Sequence, residues 1–153
     1  MINRRPSFYV ASKIWHAPVW RDFKDNGANI IATWIDPKYF APPNELDEFE
    51  AGRALDAAEA AELWKNCIKE ADAADICVIF ANDGDVMKGG LIEAGACLAA
   101  GGYVIQVGDC ASLRAGDGSD ATFQKHPRWH RAKDLGTAFK AIILDDGTLA
   151  VPL

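Results

Sequence analysis

The stretch Ala74–Gly108, ADICVIFANDGDVMKGGLIEAGACLAAGGYVIQVG, restricts the fold more than any other part of the chain. Ile76–Ala81 is a short apolar run rich in β-branched residues, the pattern of a strand buried on both faces. Asn82, Asp83 and Gly84 interrupt it. Gly89 and Gly90 open a segment of small and apolar residues, Leu91–Ala100, which predicts a helix buried on most sides. Gly101 and Gly102 end that helix, and Tyr103–Val107 reads as a second buried strand. Strand, helix and strand over about thirty residues form a right-handed βαβ unit with parallel strands. Ligands of such sheets bind beyond the carboxyl ends of the strands. Asn82–Gly90 therefore lies at the ligand crevice, with Asn82, Asp83, Lys88, Gly89 and Gly90 as candidate binding residues.

Glu93 is the one charge between Lys88 and Asp109, on a segment otherwise built from Leu, Ile, Ala, Gly and Cys. A carboxylate buried among such neighbours costs several kcal/mol unless it is paired or neutralised. Two roles fit it. With Gly90 as N-cap, Glu93 occupies the third helical position and can bond back to the backbone. Alternatively it is held at the crevice as a nucleophile or base, and the glycines let a substrate approach the main chain.

The remaining pattern extends the same plan. Ser7–Ala11 is the predicted first strand, and Ser12 and Lys13 at its carboxyl end can serve a sugar or phosphate oxygen, although loop polarity also accounts for them, for Lys13 above all because lysines are mostly solvated. His16–Asn26 carries Val19, Trp20 and Phe23 at helical spacing, with Pro18 suited to a first turn. Ala28–Ile35 is the predicted second strand, ended by Asp36 and Pro37 at the crevice edge. Residues 36–53, with three prolines and five acids, form a long loop of the kind that often serves as a lid or binding segment. Ala54–Ala73 is an amphipathic helix leading into the central strand. After the irregular Asp109–Asp120, a short edge strand is expected around Trp129. Leu135–Leu144 is expected to be a final helix, followed by a tail. The order predicts an α/β domain spanning residues 1–153, with an open, mostly parallel sheet and helices on both faces.

At 153 residues with a net charge of -6, the chain is expected to be one domain without a nucleic-acid or membrane partner. Small anionic ligands stay compatible with that charge, because a helix N-terminus can hold phosphate. No apolar run approaches a membrane span, and no signal peptide is visible. Cys67, Cys77, Cys97 and Cys110 form no CxxC pair and are expected to be reduced thiols of a cytoplasmic protein. His126 and His130 are four apart, but Pro127 forbids the helix that would align them as ligands. Neither a metal nor a cofactor is expected.

FYVAS at the first strand, ADICVIF, and GGLIEAGACLAAGGYVIQVG resemble the nucleoside 2-deoxyribosyltransferases and their nucleotide N-glycosidase relatives. The resemblance runs over roughly residues 7–107, and its most specific part is G-x-x-E-x-G-x-x-L-A-x-G. It implies a single flavodoxin-like domain whose five-stranded sheet has the order 2-1-3-4-5. It further implies a small-molecule nucleoside or nucleotide as substrate and cleavage or exchange of its N-glycosidic bond. Glu93 would be the catalytic nucleophile and Tyr9 the aromatic that places it. Family transferases carry an acid six residues before the glutamate, where this chain has Met87, and an aspartate in the preceding helix, where it has Cys67. Asp83 and Asp85 are the acids that can substitute. A 5′-monophosphate hydrolase is the alternative activity, with Ser12, Lys13, Lys88 or the Gly89–Gly90 amides on the phosphate. A non-catalytic domain of the same fold, binding a nucleotide-derived ligand or a protein, is the third. The family pattern, with apolar Phe40 and Trp129 in irregular segments, predicts a homo-oligomer.

Overall fold

The computed structural model describes residues 4–40 and 52–153. The part of the expected lid at residues 41–51 lies outside the described residues. Four strands make one parallel sheet: β1 (Phe8–Ala11), β2 (Ile76–Ala81), β3 (Tyr103–Gly108) and β4 (Trp129–Ala132), in that spatial order. β2 is central, with Tyr9 opposite Cys77 on one side and Val104 opposite Cys77 on the other. Both of its faces are covered, which is why it reads as an unbroken apolar run.

The expected fifth strand is the main departure. Residues 28–35 add only one parallel bridge, Phe8 to Ile30, outside β1. The Glu70 carboxylate takes both the backbone N–H and the hydroxyl of Thr33 and bends the chain off the sheet. The Trp34 indole N–H then donates to the Val10 carbonyl at 2.8 Å, satisfying the edge of β1 with a side chain instead of a neighbouring strand.

Helices lie on both faces. Side chains alternate along a strand, so Phe8 and Phe80 face helix α1 (Ala17–Asp25), where Trp20, Phe23, Phe80 and Phe139 pack ring against ring. Tyr9, Ala11 and Cys77 face the other side, under α2 (Ala57–Ala73) and α3 (Gly89–Ala99), which pack on each other. Pro18 stands in the first turn of α1, and Gly27 (φ +103°) follows its end. α2 starts three residues later than its periodicity predicts, because Asp56 and Glu59 form a reciprocal capping box there.

The expected final helix is also shortened. α4 covers only Leu135–Ala138, capped by the Asp134 carboxylate on the Thr137 N–H. β5 (Ile142–Ile143) and β6 (Leu149–Ala150) then form an antiparallel hairpin. Its turn holds Asp146, which accepts from the Thr148 N–H, and Gly147 at φ +83°. Asp-Gly between β-branched flanks is a hairpin signal that outweighs the helical spacing.

Phe40 and Trp129 are 7% and 9% exposed, so neither offers the outward apolar face on which the expected oligomer drew. The Arg21 guanidinium covers the Phe40 ring, and the Trp129 indole donates to Gln106. All four cysteines are buried thiols. No described helix is long and apolar enough to cross a membrane.

Candidate functional site

β1 turns outward toward residue 30, whereas β2 passes through α3 to β3 on its other side. The chain thus diverges between β1 and β2, and this divergence leaves a crevice beyond their carboxyl ends. A cavity of about 600 Å³ occupies it. Ser12–Trp15 after β1 and Val86–Gly90 after β2 form two walls. α2 contributes Leu63, Trp64 and Cys67, and the segments around Trp34–Phe40 and Gly52–Leu55 close the rest.

Glu93 lines this cavity at 8% exposure. α3 begins at Gly89 with Lys88 as N-cap, so Glu93 is the fifth helical residue and not the third. It therefore lies beyond capping reach of the helix start, and the capping role falls away. Burial pushes its carboxyl up to about 7; the Tyr9 hydroxyl pulls the other way, and the Glu70 charge adds to the rise. Near neutral pH such a group exchanges between its neutral and ionised forms, and the ionised form is a candidate nucleophile at the cavity wall.

Tyr9 stands directly behind it. The ring is fully buried, and its hydroxyl is near both the Glu93 carboxylate and the Cys67 thiol without a well-formed hydrogen bond to either. Burial, then the Glu93 charge, raises the phenol far above its ordinary range. Burial likewise pushes the Cys67 thiol up to about 12, so Cys67 stays protonated and is no nucleophile at neutral pH.

The glycines before Glu93 have steric reasons. A methyl group at Gly89 would lie 2.7 Å from the Trp64 ring and 3.7 Å from Glu93 Oε1. One at Gly90 would lie 2.8 Å from Met87 Cε and 3.6 Å from Ala11 Cβ. Larger residues there would drive α3 off β1 or fill the approach to the carboxylate.

The structure brings together Ser12, Lys13, Lys88, Gly89, Gly90 and Glu93 around the cavity, with Tyr9 as support. The Ser12 hydroxyl already donates to the Lys13 carbonyl at 2.9 Å and accepts from the Trp20 indole at 2.8 Å. The Lys13 ammonium lies 5.2 Å from the Trp15 ring centre. Asp36, Asn82, Asp83 and Asp85 are not among the wall residues. Asp36 caps the turn at Pro37–Tyr39 through the Lys38 N–H. Asn82 and Asp83 are exposed in the turn after β2. Asp85 is buried, accepts from the Asn82 N–H at 2.8 Å and lies 3.9 Å from His16 Nε2. Burial lowers that imidazole's pKa and the Asp85 charge partly restores it.

Sequence reasoning missed the aromatic wall of Trp15, Trp34, Tyr39 and Trp64, and the rim residue Arg53. Trp64 carried a usable signal: a tryptophan at an outward position of an alanine- and glutamate-rich helix, where it is 41% exposed.

No protein-family model matches the chain, and no curated protein matches it.

Proposed function

We propose that the protein cleaves the N-glycosidic bond of a nucleoside or nucleotide, with Glu93 as the attacking carboxylate, in the manner of the nucleoside 2-deoxyribosyltransferase-like enzymes it resembles. The observation that carries this reading is a carboxyl whose pKa burial raises to about 7, at the wall of a cavity that also carries Trp15, Trp34, Tyr39, Phe40 and Trp64, beyond the carboxyl ends of β1 and β2. In two displacements, one Glu93 oxygen bonds to the anomeric carbon as the base departs, and water or a second base then releases the sugar. The resemblance assigns Tyr9, buried beside the carboxylate, to placing it. The aromatic wall suits a flat base, and Lys13, Arg53 and Lys88 on the cavity wall suit a 5′-phosphate. That favours a nucleotide over a nucleoside as substrate.

The same reading includes a flavodoxin-like arrangement, with residues 28–35 in the place of an outer strand beside β1. A cytoplasmic location belongs to it on the strength of four buried thiols. So does a homo-oligomer, which sedimentation at micromolar concentration tests. A second reading, a non-catalytic domain for a nucleotide-derived ligand, is favoured by the positions of Asp36, Asp83 and Asp85 away from the cavity wall. Incubation with nucleosides and 5′-monophosphates, with and without acceptor bases, and chromatography of free base separates the two. Base release that disappears in Glu93→Gln is the expected result; ligand binding without any base release selects the second reading.

A further inference from the structure

Arg4 and Arg5 precede β1 side by side, and the fold uses only the first. The Arg4 guanidinium forks onto the Asp75 carboxylate at 2.7 and 2.9 Å. The other arginines are engaged as well: Arg21 on the Ile35 carbonyl, Arg53 on Glu59, Arg114 on Asp109, Arg128 on the Gly101 carbonyl and Arg131 on Asp120. Arg5 has neither a hydrogen bond nor an ion pair among the described residues. In a chain with 22 acids against 16 bases, a guanidinium left without a partner is the exception.

Arg5 lines a second cavity, of about 510 Å³, at the amino-terminal edge of the sheet. The chain entering β1, the turn after α1 and the connection from α4 to β5 enclose it. Lys140 lines it from that connection and also has no polar partner among the described residues. Its charge is felt by Asp134, but that carboxylate is occupied by the Thr137 N–H at 2.7 Å and is not part of the wall. No acid stands among the described residues of the wall, and residues 1–3, which lead into it, include none. The last carbonyls of α1 would repel an anion, yet those of Phe23 and Lys24 already accept from the Ala28 and Gly27 N–H groups. The remaining wall is largely apolar. Phe8 and Ala141 are buried in it, and the half-buried Phe139 ring stands edge-on to Phe8 at 5.0 Å.

We propose that this cavity binds a small organic anion, a carboxylate or phosphate group on a flat apolar body. The Arg5 fork matches the oxygens of either group in a bidentate way, and the Lys140 ammonium adds a second positive charge. Pro6 and the Phe139 ring take the apolar body out of water, which a free inorganic ion cannot exploit. The site lies at the opposite ends of the strands from Glu93 and stands independently of the activity proposed for that residue.

The test follows the backbone amides of the isotope-labelled chain by NMR during titration with benzoate and with phenyl phosphate. Benzamide and inorganic phosphate serve as controls. Saturable shifts at Gly27, Asn29, Phe139 and Ala141 are expected with the aromatic anions, with a Kd of about 1 mM or tighter. The tighter of the two names the anionic group. Benzamide, which lacks the charge, and inorganic phosphate, which lacks the apolar body, should each bind at least about tenfold more weakly. Arg5→Gln and Lys140→Gln should each weaken phenyl phosphate about tenfold, the worth of one charge-assisted hydrogen bond. Both side chains are exposed, and the same spectra report that the variants stay folded. Shifts confined to the crevice amides of Lys88, Gly89 and Gly90 overturn the proposal and leave the reading of Glu93 untouched. Equal binding of either control, or unchanged binding in the two variants, overturns it too, as does a lack of saturation by about 20 mM.

Discussion

At the residue scale, Glu93 combines two opposed demands. As a buried carboxylate it weakens the fold, and as an exposed one it would lose its basicity. Its carboxyl is raised to about 7 from an ordinary value of 4.5, so the folded state holds the proton more tightly than the unfolded chain does. The associated stability is fully present below about pH 4.5 and is lost as pH rises through 7. The loss is roughly 3 kcal/mol by the size of the shift. Glu93→Gln cannot ionise, so its stability should not fall across that window. Above pH 7.5 it should equal or exceed the wild type, while base release drops at least about a hundredfold. Denaturant unfolding of both proteins at pH 5 and pH 8 checks the sign, because other titrating groups cancel in the difference. A capping glutamate would behave in reverse. That alternative was open in the sequence because either glycine or Lys88 could stand at the helix start, and moving the N-cap two residues back, from Gly90 to Lys88, moved Glu93 from the third helical position to the fifth.

At the element scale, α3 carries glycines for two different reasons, and substitution separates them. Gly95 is exposed and a methyl group there meets nothing within 4 Å. Gly95→Ala should stabilise the protein by about 0.5–1 kcal/mol through backbone entropy alone. Gly89→Ala has the same entropic gain, but its methyl group collides with the Trp64 ring. Its net stability should change by less than about 1 kcal/mol, while tryptophan emission shifts and affinity for the ligand falls. Thermal melts and fluorescence of the two variants make the comparison. Element identity was legible wherever one residue type dominated a face, as in β2, β3 and α3. It failed where local chemistry intervened: Glu70 pulling Thr33 from the sheet, and Asp146-Gly147 turning the end of the expected last helix and the expected tail into a hairpin. Trp34 shows why: its spacing reads as strand, yet it meets β1 through its indole and not its backbone.

At the scale of the whole molecule, the two edges of the sheet do separate work. The parallel order and the crevice between β1 and β2 followed from the βαβ pattern, since connection handedness leaves few alternatives. The aromatic cavity wall did not, because its residues come from three separate segments, around Trp15, Trp34–Phe40 and Trp64, and no local spacing unites them. The opposite, amino-terminal edge is tied by Asp75. Its carboxylate receives the Arg4 guanidinium at 2.7 and 2.9 Å, the Ser7 N–H at 2.8 Å and the Ser7 hydroxyl at 3.1 Å. Burial alone would raise its pKa, but the bonds from Arg4 and Ser7 outweigh that and hold it below the usual carboxylate range. The stability it contributes is present above about pH 4 and is lost as pH falls through its lowered value. Asp75→Ala removes the acceptor of the part-buried Ser7 N–H at the point where β1 and β2 begin. It should lower unfolding stability by about 1–3 kcal/mol. Because the cavity lies at the other ends of the same strands, base release per folded molecule should stay within about twofold of wild type, as expected for distant, uncoupled sites. A variant that loses activity in proportion to stability would mean that the two edges move together, and that the crevice depends on strand register more than on its own wall residues. Unfolding curves measured beside turnover at 15 °C, where the variant is still fully folded, distinguish the two outcomes.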